Sequence, residues 1–317
     1  MNNLRKIGLS ALAGSLATFS VNAAEMSVSG AASISFDDTN RGFGDRGNSF
    51  YMGDSIKFNA SGETDGGIGV AVYYEWDGQI LDDHKITLSG DFGSLVFDGH
   101  GGSSAFGAID DKTPNAYEEA WDIIDTNGAT TGGTPTVING VSANNMFIYT
   151  TPDLGGATLT ASYINGGGSS AAPEGSTSFA VAYTGVEGLT IGAGVSDNEE
   201  GSAVTVDETT MYATYATGGF TIGVQSSDRD HTTAGSDLES IAYGITYAVN
   251  DDMSIGYSYH ELETESTTDE DQESTGISAS YTMGGMTLAG AMNDSDNMGG
   301  VAATDREGYE FTLSFAF

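Results

Sequence analysis

The chain has no cysteine, only 4 prolines, and 9 lysines and arginines against 45 aspartates and glutamates. Without cysteine there is no disulfide scaffold, no thiolate nucleophile and no Cys-ligated zinc. A formal charge of −36 removes the basic footprint that phosphate recognition needs, so no nucleic-acid partner is expected. So large a net charge would by itself suggest disorder, but 15 tyrosines and 14 phenylalanines are too many for a solvated tail. The pattern has to decide.

Residues 1–24 read as an export signal. Arg5 and Lys6 form a charged start, Ile7 to Val21 is apolar, and small residues follow at Asn22, Ala23 and Ala24, so cleavage after Ala23 or Ala24 fits equally. About 15 apolar residues fall short of the ~20 a membrane helix requires, and no later segment supplies such a run. Residues 25–317 would form the exported body, reaching the periplasm first.

That body alternates with period two in sixteen segments. Val28, Gly30, Ala32, Ile34 and Phe36 interleave with serines and alanine; Ile56 and Phe58 with Ser55, Lys57 and Asn59; Ile86 and Leu88 with Lys85, Thr87 and Ser89. The rhythm resumes at Met146 and runs to Tyr309, Phe311, Leu313, Phe315 and Phe317. Connections alternate too. One set is short and glycine-rich, such as Gly185–Gly188 and Gly284–Gly285; the other is long and acidic, such as Asp197–Glu208, Ser226–Ser240 and His260–Ser274. Up-and-down hairpins with one tight and one loose end give this pattern.

A soluble sandwich also alternates, but it would leave exposed edges and would need an apolar inner face. Here the second face is Ser, Thr, Asn, Lys and Gly. A 16-stranded antiparallel transmembrane β-barrel satisfies both faces, with lipid outside and water inside. Tyr73, Tyr74, Trp76, Tyr257, Tyr259 and Tyr309 lie near strand ends, where interfacial aromatic girdles form. A barrel of this strand number is wide enough for an aqueous channel.

One connection breaks the rhythm. Residues 98–145 form a loop far longer than the others, the length at which function is usual. Thr113-Pro114 looks like a helix start, and Tyr117, Trp121 and Ile124 would then share a stripe beside Glu118, Asp122 and Asp125. The aromatic face would pack on the inner wall, with the carboxylates turned to the lumen.

The signal, the Ser29-Gly30 start of the first strand, Leu88-Ser89-Gly90-Asp91-Phe92-Gly93, the long third loop and terminal Phe317 together resemble general diffusion porins of the alphaproteobacterial type. The likeness covers the whole body of the chain. It implies an inward-folded third external loop that narrows the pore opposite basic wall residues. It also implies a homotrimer in outer-membrane lipid and lipopolysaccharide, and a C-terminal strand read by the barrel-assembly machinery. Two features depart from the family: the basic cluster is thin, and the Pro-Glu-Phe-Gly-Gly-Asp constriction motif of enteric porins is absent.

By loop position, Asp110, Asp111, Glu118, Glu119, Asp122 and Asp125 are the expected acidic side of the constriction. Lys57 and Lys85, on the polar face of the second and fourth strands, are its basic side. A unit charge about 8 Å from a passing ion is worth about 0.5 kcal/mol in bulk water and about 2 kcal/mol at an effective dielectric of 20. Carboxylates in excess therefore predict a cation-preferring pore.

Other motifs carry less. Gly42-Phe43-Gly44-Asp45-Arg46-Gly47 matches a dinucleotide pattern, but a strand follows where a helix is required. Asp294-Ser295-Asp296 with Gly299 and Asp305 resembles a calcium loop, but Met298 stands at a ligand position. Glu261, Glu263, Glu265, Asp269 and Asp271 make a dense carboxylate run that could hold calcium loosely; no other cofactor is expected. The four histidines lie in separate segments, and no hydrolase or metalloprotease motif appears, so no enzyme is expected. A substrate-selective outer-membrane channel and a surface adhesin or binding barrel are the alternatives to general diffusion.

Overall fold

The computed structural model describes residues 25–40, 49–78, 80–122, 137–166, 175–200, 204–265 and 270–317. The expected signal segment, the Gly42–Gly47 motif, Arg41, Arg46, Ile124, Asp125 and Asp269 lie outside these residues. The first strands are β1 (Glu25–Asn40), β2 (Ser49–Glu63), β3 (Gly69–Asp77), β4 (Ile80–Gly90) and β5 (Gly93–His100). Two short strands, β6 (Gly102–Ser103) and β7 (Ser142–Ala143), pair only with each other. Then come β8 (Met146–Thr150), β9 (Ala157–Ile164), β10 (Gly175–Val186), β11 (Leu189–Glu200), β12 (Val204–Thr217) and β13 (Phe220–His231). The chain finishes with β14 (Leu238–Asn250), β15 (Met253–Thr264), β16 (Gln272–Met283), β17 (Met286–Asp296) and β18 (Arg306–Ala316).

All except β6 and β7 join one closed antiparallel barrel, which makes the sixteen wall strands the alternation predicts. β1 closes on β18, with Phe36 opposite Phe311, and Gly30 and Phe317 exchange backbone hydrogen bonds of 2.8 and 3.0 Å. Closure leaves no strand edge, which is what allows a sheet to stand in lipid. On β14, Tyr243 and Ile245 are exposed on the outer face while Ala242 and Gly244 are buried on the inner one, and the other strands repeat this. The tight ends need left-handed backbone at the turn, supplied for example by Gly188 at φ 75°, where a side chain would meet the Ala216 carbonyl.

The opposite ends differ from expectation. Segments read as loops are in large part strand: β11 runs to Glu200 and β12 starts at Val204, β15 runs to Thr264 and β16 starts at Gln272. At β10 to β12 the inner face is polar and paired, because Ser176 and Ser196 donate to Asn198 Oδ1 and Asn198 donates to Glu208 at 3.0 Å. Acidity on the outer face disguised the alternation. It also sets like charges directly opposite one another: Asp197 and Asp207, Asp207 and Asp230, Asp228 and Glu239, Glu239 and Glu263, Glu261 and Glu273, Glu273 and Asp296, Asp294 and Glu307. One girdle assignment also changes. Tyr73 points inward, with its hydroxyl donating to Glu75, whereas Tyr74 and Trp76 face outward.

Candidate functional site

The long connection leaves β5 and travels along the inner wall. Ala105 N–H donates to Ser162 Oγ on β9 at 2.9 Å and Phe106 N–H to Ser178 Oγ on β10 at 3.2 Å. Lys112 N–H donates to Gln225 Oε1 on β13 at 2.6 Å, and Ala116 N–H to Ser278 Oγ on β16 at 3.1 Å. Tyr117 reaches β18, donating to Glu310 and standing 2.8 Å from Thr312 Oγ1. Asn293 of β17 donates to the Glu119 carbonyl at 2.5 Å. The chain then turns back. Trp121 packs on Ala242, and Ile138 joins Phe106, Leu238 and Leu262 in a buried cluster. The described loop thus meets β4 at its start, where His100 lies against Asp82 and His84, and from Ala105 onward covers β9 to β18.

No helix starts at Thr113, and residues 113–122 are bends, turns and irregular backbone. Thr113 does not act as a cap, since its buried hydroxyl has no partner. The physical reason is the wall, because the amides of Lys112 and Ala116 are held by wall side chains. Room for the close approach comes from inward glycines. A side-chain carbon at Gly223 would stand 2.5 Å from Pro114 Cδ, and one at Gly256 2.9 Å from the Ala116 nitrogen. At Gly276 it would meet the Ala120 Cα at 2.9 Å.

Of the six expected loop acids, five are described and lie together. Asp110 Oδ2 accepts from Gly140 N–H at 2.7 Å and so ties the outgoing limb to the returning one. Asp122 Oδ2 accepts from Glu119 N–H at 3.0 Å, and Asn115 donates to Glu119 Oε1. Glu118, Glu119 and Asp122 each place a carboxylate oxygen within 4.8 Å of the others. Burial first, then mutual repulsion, raises their proton affinity. Asp111 is pushed up to about 6, Glu118 to about 7, and Glu119 well above the carboxylate range beside Asp122 and Asp111. Burial also raises Asp110, against the Gly140 hydrogen bond. The cluster therefore carries less charge at neutral pH than a count of acids suggests.

The two expected cations do sit on the inner face. Lys57 Nζ lies 3.3 Å from Glu75 Oε1, its direct cross-strand partner, so that charge is neutralised locally. Lys85 Nζ stands 5.0 Å above the Tyr73 ring, with Asp98 opposite it on β5. Sequence reasoning missed Glu75, although it lies directly opposite Lys57, and Glu310, which accepts from Tyr117 of the loop. It also missed His260, which is buried against Trp121 with ring centroids 4.7 Å apart.

The outer carboxylate run divides. Glu261, Glu263 and Asp271 bring oxygens within 4.8 Å of one another. Glu265 is outside that trio and lines a neighbouring cleft with Glu263, Asp228, Asp237 and Glu239. Glu261 and Glu263 belong to β15 and not to a loop, because the ladder continues past His260.

Comparison with known proteins adds a consistent set. A family model described as Gram-negative porin matches residues 8–297. Among solved structures, the anion-selective porin from Comamonas acidovorans is similar at TM-score 0.71 and 17% identity, covering 93% of this chain and 100% of that one. A porin structure refined at 1.8 Å resolution is similar at TM-score 0.68 and 20% identity, covering 92% and 100%. The trimer form of in-vitro folded OmpT, an outer membrane protein of Vibrio cholerae, gives TM-score 0.70 and 15% identity over 93% and 100%. No curated protein sequence matches.

Proposed function

The chain belongs to the Gram-negative porin family, and from that membership we propose that its outer-membrane diffusion channel passes small hydrophilic solutes and ions with a preference for cations. Permeation is passive and involves no catalysis. Residues 98–145 narrow the lumen, residues 1–24 direct export, and three copies of residues 25–317 associate in lipid and lipopolysaccharide after delivery by the barrel-assembly machinery. Loosely held calcium at Glu261, Glu263 and Asp271 is the only bound ion in this proposal.

One observation supports the cation preference above others. The loop carries five described carboxylates, whereas of the two expected wall cations Lys57 is already paired with Glu75. The anion-selective relative shares the fold at 17% identity, a level at which wall charges need not correspond. Reconstitution into liposomes tests the channel: swelling should occur with small neutral sugars and fall off with solute size. A barrel that served only as an adhesin would give no swelling and no conductance. Saturation of the flux by one solute would instead favour a substrate-selective channel.

A further inference from the structure

The loop does not lie flush on the wall everywhere. Behind it, against β13 to β15, a cavity of about 250 Å³ remains. Asp110, Asp111 and Asp122 of the loop border it on one side, and Gln225, Ser240 and His260 of the wall on the other, with Trp121 at its edge. His260 is 3% exposed, and its Nδ1 makes no hydrogen bond. Leaving such a nitrogen buried and unpaired is costly. Among the described residues, no cationic side chain lines the space; Lys112 acts on Asp110 and Asp111 from outside the lining. The cavity therefore lacks two things, a positive charge and a donor for an imidazole nitrogen.

We propose that this cavity is a subsite for a small organic cation, an ammonium group on a compact apolar body, that binds between the loop and the wall. The proposal deepens the channel assignment above and rests on it. The ammonium would donate charge-assisted hydrogen bonds to the carboxylates and a further one to His260 Nδ1 in its neutral form. The body would lie against the Trp121 indole, whose face also attracts cations. An anion would meet three carboxylates. A neutral sugar could use Gln225 and Ser240 but would leave the carboxylates uncompensated. The volume is below that of drug-sized pockets, which suits a guest such as phenethylammonium.

The chain's two tryptophans make the test direct. Trp76 faces outward, so Trp76→Phe leaves Trp121 as the sole tryptophan, excited selectively over the tyrosines. The full-length refolded barrel in detergent is titrated with phenethylammonium, with phenethyl alcohol as the neutral counterpart. The expected result is a saturable change in Trp121 emission with the amine and none with the alcohol. His260→Ala, with β-sheet content verified by circular dichroism, should weaken the midpoint by roughly tenfold or more, as should Asp111→Asn, while His260→Gln should retain more binding than His260→Ala. No saturation, an equal response to the alcohol, or a midpoint unmoved in both His260→Ala and Asp111→Asn would overturn the proposal. Emission reports binding without current. A barrel that conducts KCl yet shows no saturation refutes the subsite alone, and one that does not conduct refutes the channel.

Discussion

Pro114 of the inward loop lies against Gly244 of β14 so closely that a side-chain carbon at 244 would stand 2.3 Å from the Pro114 carbonyl oxygen. Gly223, directly across the ladder from Gly244, meets the same proline. A pair of inward glycines thus seats the loop on the wall, and the width of the lumen depends on two missing side chains.

Gly244→Val should displace the loop toward the lumen. Overpacking of this kind costs about 1–3 kcal/mol. Single-channel recordings should show smaller, noisier currents. Gly62→Ala is the control, because a side-chain carbon there meets nothing within 4 Å. An unaltered current in Gly244→Val would show that the loop is not held at this point.

The ion pair of Lys57 and Glu75 offers a test of opposite signs. Glu75→Gln frees the lysine charge and should lower cation preference. Lys57→Met frees the carboxylate and should raise it. The fold should tolerate both, since a partly exposed pair contributes only about 0–1 kcal/mol. Selectivity shifts of the same sign in the two variants would contradict the assignment of this pair to the inner wall.

Selectivity should also depend on pH. Burial pushes the Asp111 carboxyl up to about 6 and that of Glu118 up to about 7, so cation preference should fall as pH drops from about 8 to about 5. Glu118→Gln should flatten part of this profile. The stability of the docked loop runs the other way. A carboxyl whose proton affinity is raised by folding favours the folded form at low pH and loses that advantage as pH rises through its folded value. Limited proteolysis within residues 98–145 should therefore be slower at about pH 5 than at about pH 8.

The outer ends of β11 to β18 set like charges across from each other at seven positions. Such pairs are destabilising, and added salt or magnesium should relieve them. Thermal unfolding should begin at lower temperature in chelator at low ionic strength and recover with either addition. No difference between these conditions would mean that the repulsion is offset within the barrel.

The barrel was legible because period two survives in every wall strand and because tight and loose connections alternate. What stayed hidden was contextual. The helix expected at Thr113-Pro114 rests on local signals, which the wall overrides by taking the Lys112 and Ala116 amides. The strand extension through Glu261 and Glu263 went unread because charged residues occupy the outer face above the apolar band. Gly223, Gly244, Gly256 and Gly276 were visible as interruptions in a serine- and threonine-rich face. Their meaning appears only when the loop lies on them.

The reversal potential across a planar bilayer in a steep KCl gradient, recorded at about pH 8 and low ionic strength, tests the account most directly. A potential displaced toward the potassium equilibrium value, and reduced when Asp111, Glu118 and Asp122 are neutralised together, is the predicted result. A potential at zero or on the chloride side in the unmodified protein would contradict it.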